Sequence, residues 1–443
     1  MGRLFGTDGI RGRANVELKP SLAMALGRAT VHALSPDGGA LLVGQDTRRS
    51  SDMLVAALVA GGTSMGADVH RLGVVPTPAL AFLTGDGPFG AGIMVSASHN
   101  PADDNGLKVI GANGMKLDDA QEDELDDLVW RADELIGPAN AGLGRDIDGR
   151  LLLDRYRAHR LALAHRLTSQ LRVVVDCANG SGGVVAHELL AGTGATVEVI
   201  FDQPDGVNIN LGCGATAPEA LAARVGESGA DVGFALDGDA DRCVAVDEHG
   251  RIVDGDQLLG LLTLERLARG ALAGDTLVVS VLSNGGLATA VERAGGRVVR
   301  TPVGDRYILD AMLVAGAGLG GEKSGHVIVA EHATTGDGVL TALEVLRVMA
   351  ESGRPLSELA AQVPLYPQEQ RTVPVRHRDQ WQADRRLSAA VRAAETELTD
   401  RGRVLVRPSG TESALRIMVE GEDAARVTEL ADELAALAAE RLH

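Results

Sequence analysis

The sequence predicts repeated α/β layers with parallel or mixed sheets, closed by a smaller α+β domain. Strand-length apolar runs at residues 40–44, 92–95, 171–175, 232–236 and 276–281 alternate with Ala/Leu-rich helical stretches such as 53–62 and 218–226. That alternation is how βαβ units read. The chain has 443 residues, and at about 100 to 200 residues per domain it makes roughly three or four. The pattern then changes after Val-Pro-Leu-Tyr-Pro at 363–367: strands near 371–375, 404–406 and 415–420 and two helices form a small α+β unit. Further seams fall in the glycine-rich stretch 137–144 and the Asp-Glu-His-Gly turn at 247–250. The expected domains are 1–150, 151–250, 251–365 and 366–443.

Hydrophobic residues make up 45% of the chain but aromatics only 2%, so the core must be built from Ala, Val, Leu and Ile. Net charge is 42 − 61 = −19, which argues against nucleic acid or an anionic membrane as the main partner. An anionic substrate then needs a local cluster of Arg and Lys. The N-terminus lacks an apolar signal core, and no run of eighteen apolar residues exists to span a bilayer. Three cysteines, widely spaced, suggest a reducing compartment rather than a disulfide framework. A soluble, cytoplasmic protein is expected.

The strongest chemical signal is Asp-Gly-Asp-Ala-Asp-Arg at 237–242, directly after the apolar run 232–236. In extended backbone, the alternation points Asp237, Asp239 and Asp241 to one side. Three carboxylates so close repel one another unless a cation sits among them. Hard oxygen ligands at a strand's carboxyl end suit Mg²⁺ with a phosphate oxygen. An EF-hand fits poorly, because Arg242 occupies the loop position that requires glycine. A plain polar turn is the alternative.

Four other segments carry chemistry-bearing residues. Met-Val-Ser-Ala-Ser-His-Asn-Pro at 94–101 runs from an apolar strand into a polar loop, and the chain returns through 107–110. Ser98 there is a nucleophile or phosphate carrier with His99 and Lys108 as proton handlers, or else part of a capped turn. Arg-Pro-Ser-Gly-Thr-Glu-Ser at 407–413, with Arg416, offers hydroxyls, backbone N–H groups and two guanidinium groups for a phosphate, or a turn between strands. Gly-Gly-Glu-Lys-Ser-Gly-His at 320–326 lacks the spacing of a P-loop. It reads as a solvent loop, or as Glu322 and Ser324 bonding sugar hydroxyls. In Phe-Gly-Thr-Asp-Gly-Ile-Arg-Gly at 5–12, Arg11 reaches an anion or the segment merely ties the terminus to the first sheet.

Taken together and in order, these segments resemble the α-D-phosphohexomutase superfamily over essentially the whole chain. The most specific are 96–101, 237–242 and 407–412. The opening 4–12, Asn-Ile-Asn-Leu-Gly-Cys-Gly-Ala-Thr at 208–216 and Val-Gly-Asp-Arg-Tyr at 303–307 are similar to its glucosamine branch. Lys323 and Ser413 depart from that branch, where Gln and Pro are usual. The resemblance implies three related α/β domains and a smaller α+β C-terminal domain, heart-shaped around a central cleft. It implies interconversion of glucosamine 6-phosphate and glucosamine 1-phosphate through a 1,6-bisphosphate, supplying UDP-N-acetylglucosamine and cell-wall precursors. Mannose or glucose phosphates are the alternative substrates. Ser98 becomes a phosphoserine, and one Mg²⁺ per chain bridges it to Asp237, Asp239 and Asp241. Lys108 and His99 are the acid/base candidates and Arg11 a charge stabiliser. Glu322, Ser324 and Gly304 are expected on the sugar, and Arg407, Ser409, Gly410, Thr411 and Arg416 on the phosphate that is not reacting. A sugar 1,6-bisphosphate serves as activator, and the chain is a monomer or homodimer.

Overall fold

A computed structural model describes residues 3–6, 8–35, 39–164, 170–409 and 413–442, apart from the side chain of Asp400. They form two compact units: the chain up to Leu282 with Gly296–Ala361, and Ser283–Gly295 with the chain from Gln362 onward.

The first unit holds three sheets. The first contains β1 (Ile10–Arg13), β2 (Ala40–Gln45), β3 (Val69–Val74), β4 (Phe89–Val95), β5 (Asp104–Gly111) and β6 (Asp146–Asp148), in the order β1-β5-β4-β2-β3-β6. The second contains β7 (Arg172–Asp176), β8 (Thr196–Ile200), β9 (Val232–Leu236), β10 (Cys243–Asp247) and β11 (Ile252–Val253), in the order β11-β10-β9-β7-β8. The third contains β12 (Thr276–Ser280), β13 (Arg297–Thr301), β14 (Leu319–Gly321) and β15 (Val327–Val329), in the order β13-β12-β14-β15.

These sheets repeat one plan. Three parallel strands lie in the order third-first-second, and a fourth strand folds back antiparallel beside the third. The three sheets are therefore related in topology. Each fold-back is a hairpin, and its loop stands at the carboxyl end of a parallel strand, where open α/β sheets bind ligands. The loops are 96–103, 237–242 and 322–326.

The inner strands β9, β10 and β12 are buried throughout, as strands covered on both faces require, whereas β8 and β13 at the sheet edges are only partly buried. Leu41, Val43, Ile93 and Val95 meet Leu26, Leu54 and Leu58 of the helices Pro20–Leu34 and Ser51–Ser64 in one aliphatic core. Among the described residues, no helix is long and apolar enough to cross a membrane.

The second unit is an antiparallel sheet of β16 (Gln368–Pro374), β17 (Gly402–Pro408) and β18 (Ala414–Gly421), in the order β16-β18-β17. The helices Arg385–Leu398 and Ala424–Arg441 bury Leu387, Val391, Leu430 and Leu434 against Leu415, Ile417 and Val419. Asp384 and Asp423 cap them by accepting two backbone N–H groups each. The unit also includes Ser283–Gly295, which lies upstream of the seam read near 365. Asn284 and Tyr366 exchange two hydrogen bonds of 2.9 Å, and Arg403 donates to the Ser283 carbonyl at 2.7 Å.

Candidate active site

Strand register brings the first group together. β1, β5 and β4 lie side by side, with Arg11 opposite Gly106 and Lys108 opposite Met94. Ser98 follows β4, with its backbone in the left-handed region at φ +53°. It is 1% exposed, and its Oγ donates to Asp237 Oδ2 at 2.5 Å and lies 3.3 Å from His99 Nδ1.

The aspartate run differs from the extended segment expected. Residues 237–242 form a tight turn between the antiparallel β9 and β10, with Ala240 at φ +55°. The carboxylates converge because the chain turns, not because side chains alternate. Gly238 is required there, since a Cβ would stand 2.5 Å from the Ser98 carbonyl oxygen. From the first sheet's side, Thr77 donates its N–H to the Asp239 carbonyl at 2.9 Å and its hydroxyl to Asp239 Oδ2 at 2.6 Å.

Asp237, Asp239 and Asp241 are buried, and each offers an oxygen within 4.8 Å of the others. Burial and then repulsion from Asp241 and Asp239 push the Asp237 carboxyl well above the usual range. Burial also pushes Asp241 up, but Lys108, His326 and Arg242 outweigh it and hold Asp241 well below. Asp239 Oδ1 and Asp241 Oδ1 are buried without a hydrogen-bond partner. Oxygen-only donors, mutual repulsion and two orphaned oxygens fit a hard divalent cation such as Mg²⁺.

Lys108, 1% exposed, lies 2.8 Å from Asp239 Oδ2, 3.5 Å from Asp8 and 3.6 Å from Asp241. Burial lowers its pKa, but these carboxylates raise it by more, so the ammonium stays charged. A lysine held this way balances charge or donates a proton, and is a poor base. Burial, then Arg242 and Arg11, push His99 down to about 4, so its imidazole is neutral at pH 7.

A pocket of ≈ 190 Å³ opens beside this group, and Arg11, His99, Asp241, Gly304 and Glu322 are among the residues lining it. Glu322 accepts the Gly304 N–H at 3.3 Å, so the loops before helix Asp305–Ala315 and after β14 are tied together. Ser324 belongs to the same turn, and its buried hydroxyl has no hydrogen-bond partner.

Arg407, Ser409 and Arg416 lie in the second unit. Arg407 and Arg416 are direct cross-strand neighbours on β17 and β18. Burial and the Arg416 charge both lower the pKa of Arg407. Like charges opposite each other are destabilising, and an anion between them relieves the cost. Ser409 is 1% exposed, with its Oγ unpartnered. Gly410 and Thr411 lie outside the described residues.

Sequence reasoning left out Asp8, Lys116, Arg242, Asp305 and His326. Asp8, Arg242, Asp305 and His326 stood inside the quoted motifs; Lys116 had no signal. Lys116 pairs with Asp8 and, at 2.6 Å, with Asp305, which joins the N-terminal loop to the third sheet's loop. Arg242 Nε lies 3.7 Å from Asp241 Oδ1. His326 Nε2 accepts the Gly336 N–H at 2.9 Å, so the ring carries its proton on Nδ1, 3.7 Å from Asp241 Oδ1.

The sequence matches all four domain families of one enzyme group. Residues 2–135 match phosphoglucomutase/phosphomannomutase alpha/beta/alpha domain I, 154–250 domain II, 254–366 domain III and 372–437 the C-terminal domain. The chain belongs to the phosphoglucomutase/phosphomannomutase family. Within it, the chain is 50% identical over 437 residues to the phosphoglucosamine mutase of Desulforudis audaxviator, covering 98% of this chain and 97% of that one. It is 51% identical over 426 residues to the phosphoglucosamine mutase of Moorella thermoacetica, covering 96% of each. Among solved structures, a phosphoglucomutase/phosphomannomutase family protein of Burkholderia thailandensis superimposes with a TM-score of 0.84 at 27% identity, over 99% of this chain and 98% of that one. The N-acetylphosphoglucosamine mutase of Aspergillus fumigatus, solved with GlcNAc-6P and magnesium, shares the fold. Its TM-score is 0.71 at 20% identity, over 99% of this chain and 95% of that one.

Proposed function

We propose that this chain interconverts glucosamine 6-phosphate and glucosamine 1-phosphate, with Ser98 as the phosphoryl carrier. The observation behind this reading is the buried Ser98 hydroxyl at 2.5 Å from Asp237, on the rim of a three-carboxylate cluster and beside a pocket where Arg11 and Arg242 stand among acidic side chains and histidines. The name shared by relatives at half identity over nearly the full length supports glucosamine as the sugar.

In the forward direction, phosphorylated Ser98 gives its phosphoryl group to O1 of glucosamine 6-phosphate. The bond from Ser98 Oγ to phosphorus breaks, an O1–phosphorus bond forms, the O1 proton leaves to a base, and Oγ takes up a proton to become the serine hydroxyl. The 1,6-bisphosphate then turns over in the site and returns its 6-phosphoryl group to Ser98. Neutral His99, 3.3 Å from Oγ, is placed to take or relay a proton. Lys108 and Arg11 offset the anionic charge, and Arg242 adds a second guanidinium at the pocket wall. Glu322, Gly304 and Ser324 are assigned to sugar hydroxyls, and the Arg407–Thr411 segment with Arg416 to the distal phosphate. Asp237, Asp239 and Asp241 would hold Mg²⁺, which when bound supplies Lewis-acid stabilisation of the transferring phosphoryl group.

Magnitudes support this division. Enzymes accelerate phosphate-monoester cleavage by up to ~10²¹-fold, whereas one acid or base supplies about 10²–10⁴. Most of the effect must come from positioning and charge.

The test is a panel of glucosamine, glucose and mannose 6-phosphates with Mg²⁺ and a sugar 1,6-bisphosphate, run on the wild type and Ser98→Ala. Glucosamine 1-phosphate should form fastest, and only with Ser98 present. A preference for glucose or mannose phosphate overturns the sugar assignment. Full turnover in Ser98→Ala overturns the carrier.

A further inference from the structure

Both peptide groups of Ser98 are tied to one buried ion pair that does not line the pocket. The Ser98 N–H donates to Ser96 Oγ at 3.0 Å, and Ser96 Oγ donates to Asp46 Oδ2 at 2.6 Å. Arg48 Nε donates to the same Asp46 oxygen at 2.8 Å, and Arg48 Nη2 returns to the Ser98 carbonyl at 3.0 Å. The remaining guanidinium N–H groups go to the carbonyls of Asn100 at 2.7 Å, Asp104 at 3.0 Å and Pro101. All five donors of Arg48 are thereby used, four of them on the backbone of residues 98–104. Arg48 is 1% exposed and Asp46 fully buried.

A second side chain reaches the same carbonyls from the second sheet's part of the chain. Asn210, in the segment between β8 and β9, donates Nδ2 to the Ser98 carbonyl at 2.9 Å and to the Asn100 carbonyl at 3.2 Å. The two carbonyls each accept from Arg48 on the serine's own side and from Asn210 on the side of the aspartate loop.

Left-handed backbone at a residue with a side chain persists only where the surroundings fix it. Hydrogen bonds on the Ser98 N–H and carbonyl and on the Asn100 carbonyl do so here, and they set where Oγ points. We propose that Arg48 and Asn210 are positioning residues that hold Ser98 Oγ on the line of phosphoryl transfer, a role that rests on Ser98 as the carrier. Lysine cannot replace Arg48, since one ammonium has three donors and no planar fork to serve carbonyls spread over seven residues of loop. A displacement of about 1 Å at a reacting atom costs roughly 10²-fold in rate.

The experiment compares Arg48→Lys, Asn210→Ala and the isosteric Asn210→Asp with wild type and Ser98→Ala. It measures kcat per phosphorylated Ser98 (counted by mass spectrometry), KM for glucosamine 6-phosphate, and melting temperature. Arg48→Lys should lose roughly 10²-fold in kcat, and the Asn210 variants roughly tenfold, with KM unchanged. The Asn210 variants should melt close to wild type, and they decide the matter if Arg48→Lys fails to fold. Wild-type kcat per phosphoserine in both Asn210 variants, or losses that follow melting temperature alone, overturn the positioning role. Turnover in Ser98→Ala overturns the carrier reading itself. An inactive Ser98→Ala beside full-rate Asn210 variants overturns only the positioning role.

Discussion

Lys108 and Asp239 form an ion pair of 2.8 Å in which neither side chain is more than 1% exposed. The lysine comes from β5 of the first sheet and the aspartate from the turn after β9 of the second, so this one contact joins the serine's strand pair to the carboxylate cluster. Taking away one member of a buried pair leaves an uncompensated charge, at a cost of about 3–5 kcal/mol. Lys108→Met should therefore lower stability by roughly that amount and abolish turnover. Mg²⁺ should restore part of the lost melting temperature, because a cation replaces some of the missing charge. Calorimetry with and without Mg²⁺ checks this; a variant as stable as wild type without metal would contradict it.

Metal binding should expel a proton. Burial and the neighbouring carboxylates hold the metal-free Asp237 carboxyl well above the usual range, whereas a carboxylate ligand must be ionised. Below that raised pKa, Mg²⁺ binding therefore releases a proton and affinity climbs with pH; above it, the release disappears. Titration calorimetry in two buffers of different ionisation enthalpy reads the proton count directly. Equal heats in both buffers at every pH tested would show that Asp237 is already ionised.

The motifs that carry chemistry were legible because their residues are adjacent in the chain. Ser98, the three aspartates, Arg11, Lys108, Gly304 and Glu322 all meet in the first unit. The alternation of strands and helices likewise foretold three α/β layers, since buried parallel strands must be apolar runs. What stayed hidden depends on contacts between distant segments. Asp-Gly-Asp-Ala-Asp reads as extended by its alternation, yet Ala240 turns at φ +55° where β9 folds back on β10, and Thr77, more than 150 residues upstream, binds the Asp239 peptide and side chain. Arg48 and Lys116 act on backbone or charge far away in sequence, so no local spacing marks them, and Asn210 stood in the quoted 208–216 segment although its partners Ser98 and Asn100 lie in another sheet's loop. The segment Ser283–Gly295 joins the second unit through Asn284 and Tyr366, a pairing that no composition shift announces.

The buried Asp176 should impose a pH dependence on stability. It accepts the N–H groups of Ala178 at 2.8 Å and Gly214 at 2.7 Å, and burial raises its pKa from 3.8 to about 6. A raised acid favours the neutral form in the fold. Its stabilising contribution is complete below the unfolded pKa of 3.8 and is lost as pH rises through about 6. At 1.36 kcal/mol per pKa unit, the change is about 3 kcal/mol. Asp176→Asn removes the titration while keeping one acceptor oxygen. The stability of wild type relative to that variant should fall by about 3 kcal/mol between pH ~3.5 and ~7, as urea melts at several pH values would show. A difference constant with pH would mean that the native carboxyl titrates normally.

Arg407 and Arg416, paired across β17 and β18, should make the second unit respond to phosphate. Each guanidinium faces a like charge, and burial with that repulsion lowers the pKa of Arg407. An anion that bridges them removes the repulsion and adds charge-assisted hydrogen bonds. Inorganic phosphate at 100 times its dissociation constant would stabilise the folded state by about 2.7 kcal/mol. Arg416→Ala removes one of the two facing guanidinium groups. It should lose the phosphate-induced rise and show a KM for glucosamine 6-phosphate raised roughly 10-fold or more, as removal of one charged hydrogen bond of about 1.5–3 kcal/mol implies. Because the residue is assigned to the distal phosphate in both orientations of the sugar, kcat should fall less than kcat/KM. An equal phosphate response in wild type and variant would remove Arg416 from the phosphate site.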